Sequence, residues 1–278
     1  MIFSARNKLF SSNNSMTEVS TTLRRKIFAL FSRTFIENRR TRGYGVEILK
    51  YESTYIERAL GELGNKYYLP INDPTSTRDN AVALQSLTDS CPWYTVFDFV
   101  ELILGWTSSK SVREELNSIF ENEMSPYRII EDKVIPISNE FELQQIASAI
   151  QSSSGKFCSV QESLKQAIEQ FAKRPTPDYN GSITSAITAV ESVAKIIQDN
   201  DKATLGSSMD AIKRKLGLSD EFSEAIKALY HWTCNEHGKR LEYVLSDFPE
   251  AKFMLVICSS VINYLIEKFS LSTSSVNS

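Results

Sequence analysis

The sequence predicts a mainly α protein, a helical N-terminal domain with one small β-hairpin followed by a separate helical bundle. Only 10 Gly and 8 Pro occur in 278 residues, so few positions demand special turns. Apolar residues recur at three- and four-residue steps through most of the chain, the period of an amphipathic helix. The period changes once, near residue 130, where two short β-branched runs sit side by side.

Each element follows from local pattern. From Glu18 to Phe35 the stripe is Val19, Leu23, Ile27, Leu30, Phe31 and Phe35. A second helix is expected over 48–63, with Tyr51, Tyr55, Ile56 and Leu60 on its inner face, before Asn72 to Pro74 punctuates the chain. Trp93 to Trp106 and Val112 to Phe120 give two more helices. Tyr127–Ile130 and Lys133–Ile137, separated by Glu131 and Asp132, read as a hairpin, and Ser138 or Asn139 then caps a helix to Ile150. The Ser/Gly cluster Ser152 to Lys156 reads as the linker, giving domains at 1–151 and 157–270. Beyond it helices are expected at Val160–Lys173, Asp178–Gln198, Ser207–Leu216, Glu221–Cys234 and from Phe248–Pro249 to Phe269. The Ser/Asn-rich end, 271–278, is expected to be a mobile tail.

Composition narrows the function classes. With 42% hydrophobic residues the chain can bury one or two ordinary cores, and a net charge of −3 gives no overall attraction to nucleic acid. The four Cys show no close pairing, which argues against a disulfide scaffold or zinc ribbon and fits a cytoplasmic protein. The most apolar run, Phe253 to Ile266, is shorter than the roughly 20 residues a bilayer needs, so no membrane span is expected. No P-loop, G-x-G-x-x-G, G-x-S-x-G or H-E-x-x-H occurs, and no cofactor is implied. The basic cluster Arg24, Arg25, Lys26, Arg33, Arg39, Arg40 and Arg42 reads first as a solvated helix face and second as a nucleic-acid surface.

Both histidines fall in one stretch, Tyr230 to Arg240, with Cys234, Asn235 and Glu236 between them. Histidine is the side chain whose ordinary pKa suits proton transfer near neutrality, so chemistry is sought here first. His231, Cys234 and His237 at three-residue steps would spread over an arc of about 120° on a helix and lack a fourth ligand, so no metal is assigned. Surface or capping histidines are the plain alternative. A phosphate site, with Arg240 stabilising charge and His237 moving protons, is the catalytic one.

The run Pro177-Asp178-Tyr179 leading into Ala186 to Glu191, then Leu229-Tyr230, Gly238-Lys239-Arg240 and Glu250 to Val256, resembles the C-terminal HEPN domain of bacterial abortive-infection proteins of the AbiJ type. Phe3 to Arg6, Leu23 to Ile27, Trp93 to Glu101 and Tyr127 to Ile137 are similar to the AbiJ-type N-terminal domain. The resemblance implies antiphage defence and a HEPN bundle that homodimerises through the C-terminal domain and cleaves RNA without metal. It carries Arg240 over as the charge-stabilising residue; His237, Asn235 and Glu236 cluster beside that position in the sequence, and Glu191, mid-helix within an otherwise small and apolar face, reads either as a partner for Arg240 or as a solvent-facing carboxylate. Leu241 stands where the family shows His, and a leucine neither accepts nor donates a proton. Two readings therefore stand, a metal-independent endoribonuclease and a non-catalytic interaction or regulatory module of the same fold.

Overall fold

The computed structural model describes residues 18–36, 55–63, 91–174, 176–202, 204–238 and 246–274, with backbone alone at 36, 234–238 and 274. It is mainly helical with a single two-stranded hairpin among the described residues. It divides into two compact units, Met1–Ser138 and Asn139–Ser278.

In the first unit, α1 (Thr21–Phe31) starts where the Ser20 hydroxyl accepts the Leu23 N–H at 3.1 Å, and it buries Leu23, Ile27, Leu30 and Phe31. It runs on as a π-helical turn, Ser32–Ile36, with the Phe35 ring stacked 5.9 Å from Phe31. The helix at 55–63, α2, buries Ile56, Ala59, Leu60 and Leu63, and residues 48–54 lie outside the described residues. Helix α3 (Trp93–Thr107) buries Phe97, Phe99, Val100, Ile103 and Leu104, more than one face, and forms the centre of the core. Helix α4 (Lys110–Asn122), capped by Ser109, lays Val112, Leu116 and Phe120 against it.

Strands β1 (Arg128–Ile130) and β2 (Lys133–Ile135) pair antiparallel with Ile129 opposite Val134, and Glu131 takes φ +54° in the two-residue turn. A lone hairpin exposes two unpaired edges, and here side chains close both. Asn117 donates to the Ile129 carbonyl at 3.0 Å and accepts its N–H at 2.7 Å, while Glu101 accepts the Val134 N–H at 2.9 Å.

The second unit centres on α7. Before it come α5 (Glu140–Ser152), whose cap Asn139 accepts the Phe141 and Glu142 N–H groups, and α6 (Cys158–Ala172). Helix α7 (Tyr179–Gln198) is followed by α8 (Leu205–Leu216), α9 (Asp220–Gly238) and α10 (Phe248–Ser274). Helix α7 packs against α6, α8, α9 and α10, and Ser182, Ile183, Ala186, Ala189, Val190, Val193 and Ala194 are buried in those contacts.

Two boundaries differ from the sequence reading. The division between compact units falls one helix earlier than the break read at Ser152 to Lys156, because α5 packs on α10 and α6 through buried Leu143, Ile146 and Ile150. The Ser/Gly cluster is a tight turn in which Ser153 and Phe157 are buried. Helix α10 runs to Ser274, past the end expected at Phe269 and into the expected tail. Ser270, Ser272 and Thr273 return their hydroxyls to the Ile266 and Phe269 carbonyls, so these side chains bond within the helix they extend. At 27 residues α10 is long and apolar enough to cross a membrane by length and composition, but half of its apolar window is buried inside the bundle, as for a core helix.

Ile146→Ala should remove a fully buried side chain from the α5–α10 contact and destabilise the second unit by about 2–5 kcal/mol. Hydrogen exchange would check it, since amides of α6 and α10 should exchange faster while those of α3 hold. The opposite pattern would assign α5 to the first unit.

Candidate functional site

Helix α9 carries the histidine stretch, and Ser219 starts it by accepting the Phe222 N–H at 3.2 Å. Its described extent is Asp220–Gly238. His231 is exposed, its ring centroid 5.8 Å from that of Tyr230. The next turn is anchored inward: Thr233 is buried and its hydroxyl donates to the Tyr230 carbonyl at 2.8 Å. The backbone of Cys234, Asn235, Glu236 and His237 belongs to α9, but their side chains lie outside the described residues, as do Arg240 and Leu241 entirely.

Two described groups converge on the start of α8. Tyr230 lies against Gly206, where an added Cβ would sit 3.4 Å from the ring's Cε1, at the near edge of van der Waals contact. From α7, Glu191 reaches over and its carboxylate accepts the Leu205 N–H at 3.4 Å. A negative group at a helix N-terminus satisfies an orphan N–H and faces the positive end of the helix dipole. Thr204 and Ser207 complete the cap reciprocally. The sequence offers Glu191 either as a partner for Arg240 or as a solvent-facing carboxylate; Arg240 lies outside the described residues, and among them the Glu191 carboxylate bonds to the start of α8. The structure thus brings Glu191 and the Tyr230–His231 turn of α9 to one helix end.

The chain returns to described structure at Ser246, whose N–H donates to the Asn180 side chain at 3.1 Å near the start of α7. Asp247 and Glu250 then cap α10 reciprocally, at 3.1 and 3.2 Å. Phe171, Tyr179 and Phe248 form a three-ring cluster with centroids 5.5 to 6.3 Å apart. Burial, with the Asp247 carboxylate adding to it, raises the Tyr179 phenol above its ordinary pKa. Sequence reasoning missed this anchor. The Pro177-Asp178-Tyr179-Asn180 run was the available signal, but it showed only a helix start.

Among the described residues no three His, Cys, Asp or Glu side chains converge as a metal site. Burial pushes the Cys258 thiol up to about 12, which makes it an inert core group. In the first unit, the described part of the basic cluster is largely spoken for. Arg24 donates to the Val19 and Cys91 carbonyls at 3.0 and 2.7 Å, Lys26 pairs with Glu123, and Arg33 pairs with Glu115. Arg39, Arg40 and Arg42 lie outside the described residues.

These features define a mainly helical protein in which a unit with a side-chain-sealed hairpin is joined to a bundle around one central helix. The profile of the AbiJ N-terminal domain 4 family matches residues 1–152, and the chain belongs to that family. Membership associates it with abortive-infection defence. No curated protein and no solved structure matches the chain. The family match ends with α5, so it includes a helix whose packing belongs to the second unit.

The raised Tyr179 pKa sets an alkaline limit. A phenol whose folded pKa exceeds its unfolded value contributes stability that is whole below pH ~10 and is lost as pH rises through the folded pKa. Tyr179→Phe should flatten that alkaline loss. Thermal melts of both proteins from pH 8 to 11.5 would check it, and parallel curves would refute the assignment.

Proposed function

We propose that the protein is a bacterial abortive-infection factor whose C-terminal unit is a HEPN-like bundle that engages RNA in the cytoplasm. The observation that carries this reading is the AbiJ family assignment of residues 1–152, joined to a helical bundle whose helix α9 leads into Arg240. The chemistry divides between two groups. Arg240 supplies a fixed cation for the charge that builds on a phosphorane, and His237 is the nearest group able to move a proton. Glu191 and Tyr230 position this region by fixing α7 and α9 on the start of α8.

Leu241 favours the second reading, a non-catalytic module of the same fold, because it removes the proton-transfer group from the family's histidine position. In that case the cation remains and RNA is held rather than cut. The bundle acts as a homodimer. Supporting this is a cleft of about 380 Å³ at the start of α10, lined by Phe248, Pro249, Phe253, Val256 and Ile257, with the Glu142–Lys252 ion pair at 2.8 Å on its wall. Phe253 is 51% exposed there, a large apolar group left for a partner.

Arg240→Ala should abolish growth arrest on expression and lower any metal-independent RNA cleavage by about 10²-fold or more. If the parent is inert, Leu241→His should confer cleavage in EDTA. Cleavage by the parent that survives both Arg240→Ala and His237→Ala would put the active site elsewhere. For association, light scattering should report twice the chain mass for the parent and a single mass for Phe253→Asp, and a monomeric parent at tens of micromolar would refute the dimer.

A further inference from the structure

The far half of α10 carries a group of cations on aromatic faces that the preceding site does not use. Phe269 is buried to 8% exposure, and two ammonium groups share its ring: Lys156 Nζ lies 3.9 Å from the centroid and Lys215 Nζ 5.6 Å. Lys156 comes from the turn before α6 and Lys215 from the end of α8, so three elements meet there. Lys215 also donates to the Ile197 carbonyl at the end of α7, which fixes its position. One residue before Phe269, Lys268 Nζ lies 5.9 Å from the ring of Tyr264, which is 36% exposed and packs 4.7 Å from Phe222 of α9.

What these lysines lack is as informative as what they touch. Lys213 and Lys227 on the adjoining helices are each tied to a carboxylate at 2.8 Å. Lys156, Lys215 and Lys268 have ring faces and a backbone carbonyl as their partners among the described residues. A cation over a ring keeps its charge available, whereas one in an ion pair has spent it on its neighbour. Lys268 beside the part-exposed Tyr264, and Lys156 and Lys215 on the Phe269 ring five residues further along the same helix, have no carboxylate partner among the described residues, and together they supply what single-stranded nucleic acid requires, cations for the backbone and a ring on which a base can stack.

We propose that Lys156, Lys215 and Lys268, with Tyr264, form a strip on the C-terminal unit that holds the backbone of single-stranded RNA. This rests on the RNA reading above and adds to it a holding surface. It is separate from the dimer cleft, because Tyr264 lies eleven residues beyond Phe253, or about 16 Å along the helix. On this assignment RNA is held by charge and stacking, and the strip reads no sequence.

Fluorescence anisotropy of a labelled single-stranded RNA with the full chain, over a range of salt, tests it. Lys156→Gln, Lys215→Gln and Lys268→Gln should each weaken binding several-fold and flatten the slope of log K against log salt by about 0.7 per lost contact. Each Lys→Arg variant should keep the slope. Tyr264→Leu should cost about fivefold or more with the slope unchanged. Glu267→Lys should tighten binding, a gain that misfolding cannot produce. Parent binding that the three Gln variants leave intact would overturn the strip while sparing the RNA reading. A parent that binds no RNA would overturn both. If the Gln variants lose binding to anionic vesicles of phosphatidylserine and phosphatidylcholine but keep RNA, the strip is a membrane contact and the proposal fails.

Discussion

The second unit depends on the small cross-section of α7. A helix can be packed on several sides only if its own side chains keep the neighbours close, and interhelical distances of about 8–10 Å depend on the residues at the contact. Along α7 the buried positions include Ser182, Ser185, Ala186, Ala189 and Ala194, with Ile183, Val190, Val193 and Ile197 filling the spaces between. Four helices therefore pack around one axis. The described groups around the candidate site are placed by reference to that axis. Glu191 projects from it, Asn180 holds Ser246 near its start, and Lys215 donates to Ile197 near its end.

That arrangement has a cost, visible in the hydroxyls. Ser182, Ser208 and Ser223 are buried with no hydrogen-bond partner for their side-chain oxygens among the described residues. An unsatisfied buried polar group costs about 1–3 kcal/mol, a cost that alanine at the same positions would avoid. Others avoid the cost: Ser185 donates to Gln170 at 2.7 Å, and Ser259 on α10 returns its hydroxyl to the Leu255 carbonyl. Serine instead of alanine at the unsatisfied positions has no account in the contacts seen.

Both units cap helix starts with side chains, and the first must also close the edges of its hairpin. In the first, side chains from α3 and α4 close the free edges of the hairpin, so a two-stranded element that would be marginal alone is completed by helices. In the second, helix starts are completed by caps, including the long-range Glu191 cap on α8.

The sequence by itself determined the helical class, most element bounds, the hairpin and its two-residue turn, and a helix start at Ser138 or Asn139, of which the structure shows Asn139. These are local: period, caps and turn chemistry act within a few residues. It also exposed the histidine stretch, because residue type alone marks that. It could not show that α5 packs with the C-terminal helices, since a loop of Ser and Gly looks alike whether it separates two cores or turns within one. Nor could it show Glu191 on the Leu205 N–H, Tyr230 on Gly206, or two lysines on the ring of Phe269. Those pairings join residues up to 113 positions apart, as Lys156 to Phe269, and only the packing of helices brings them together.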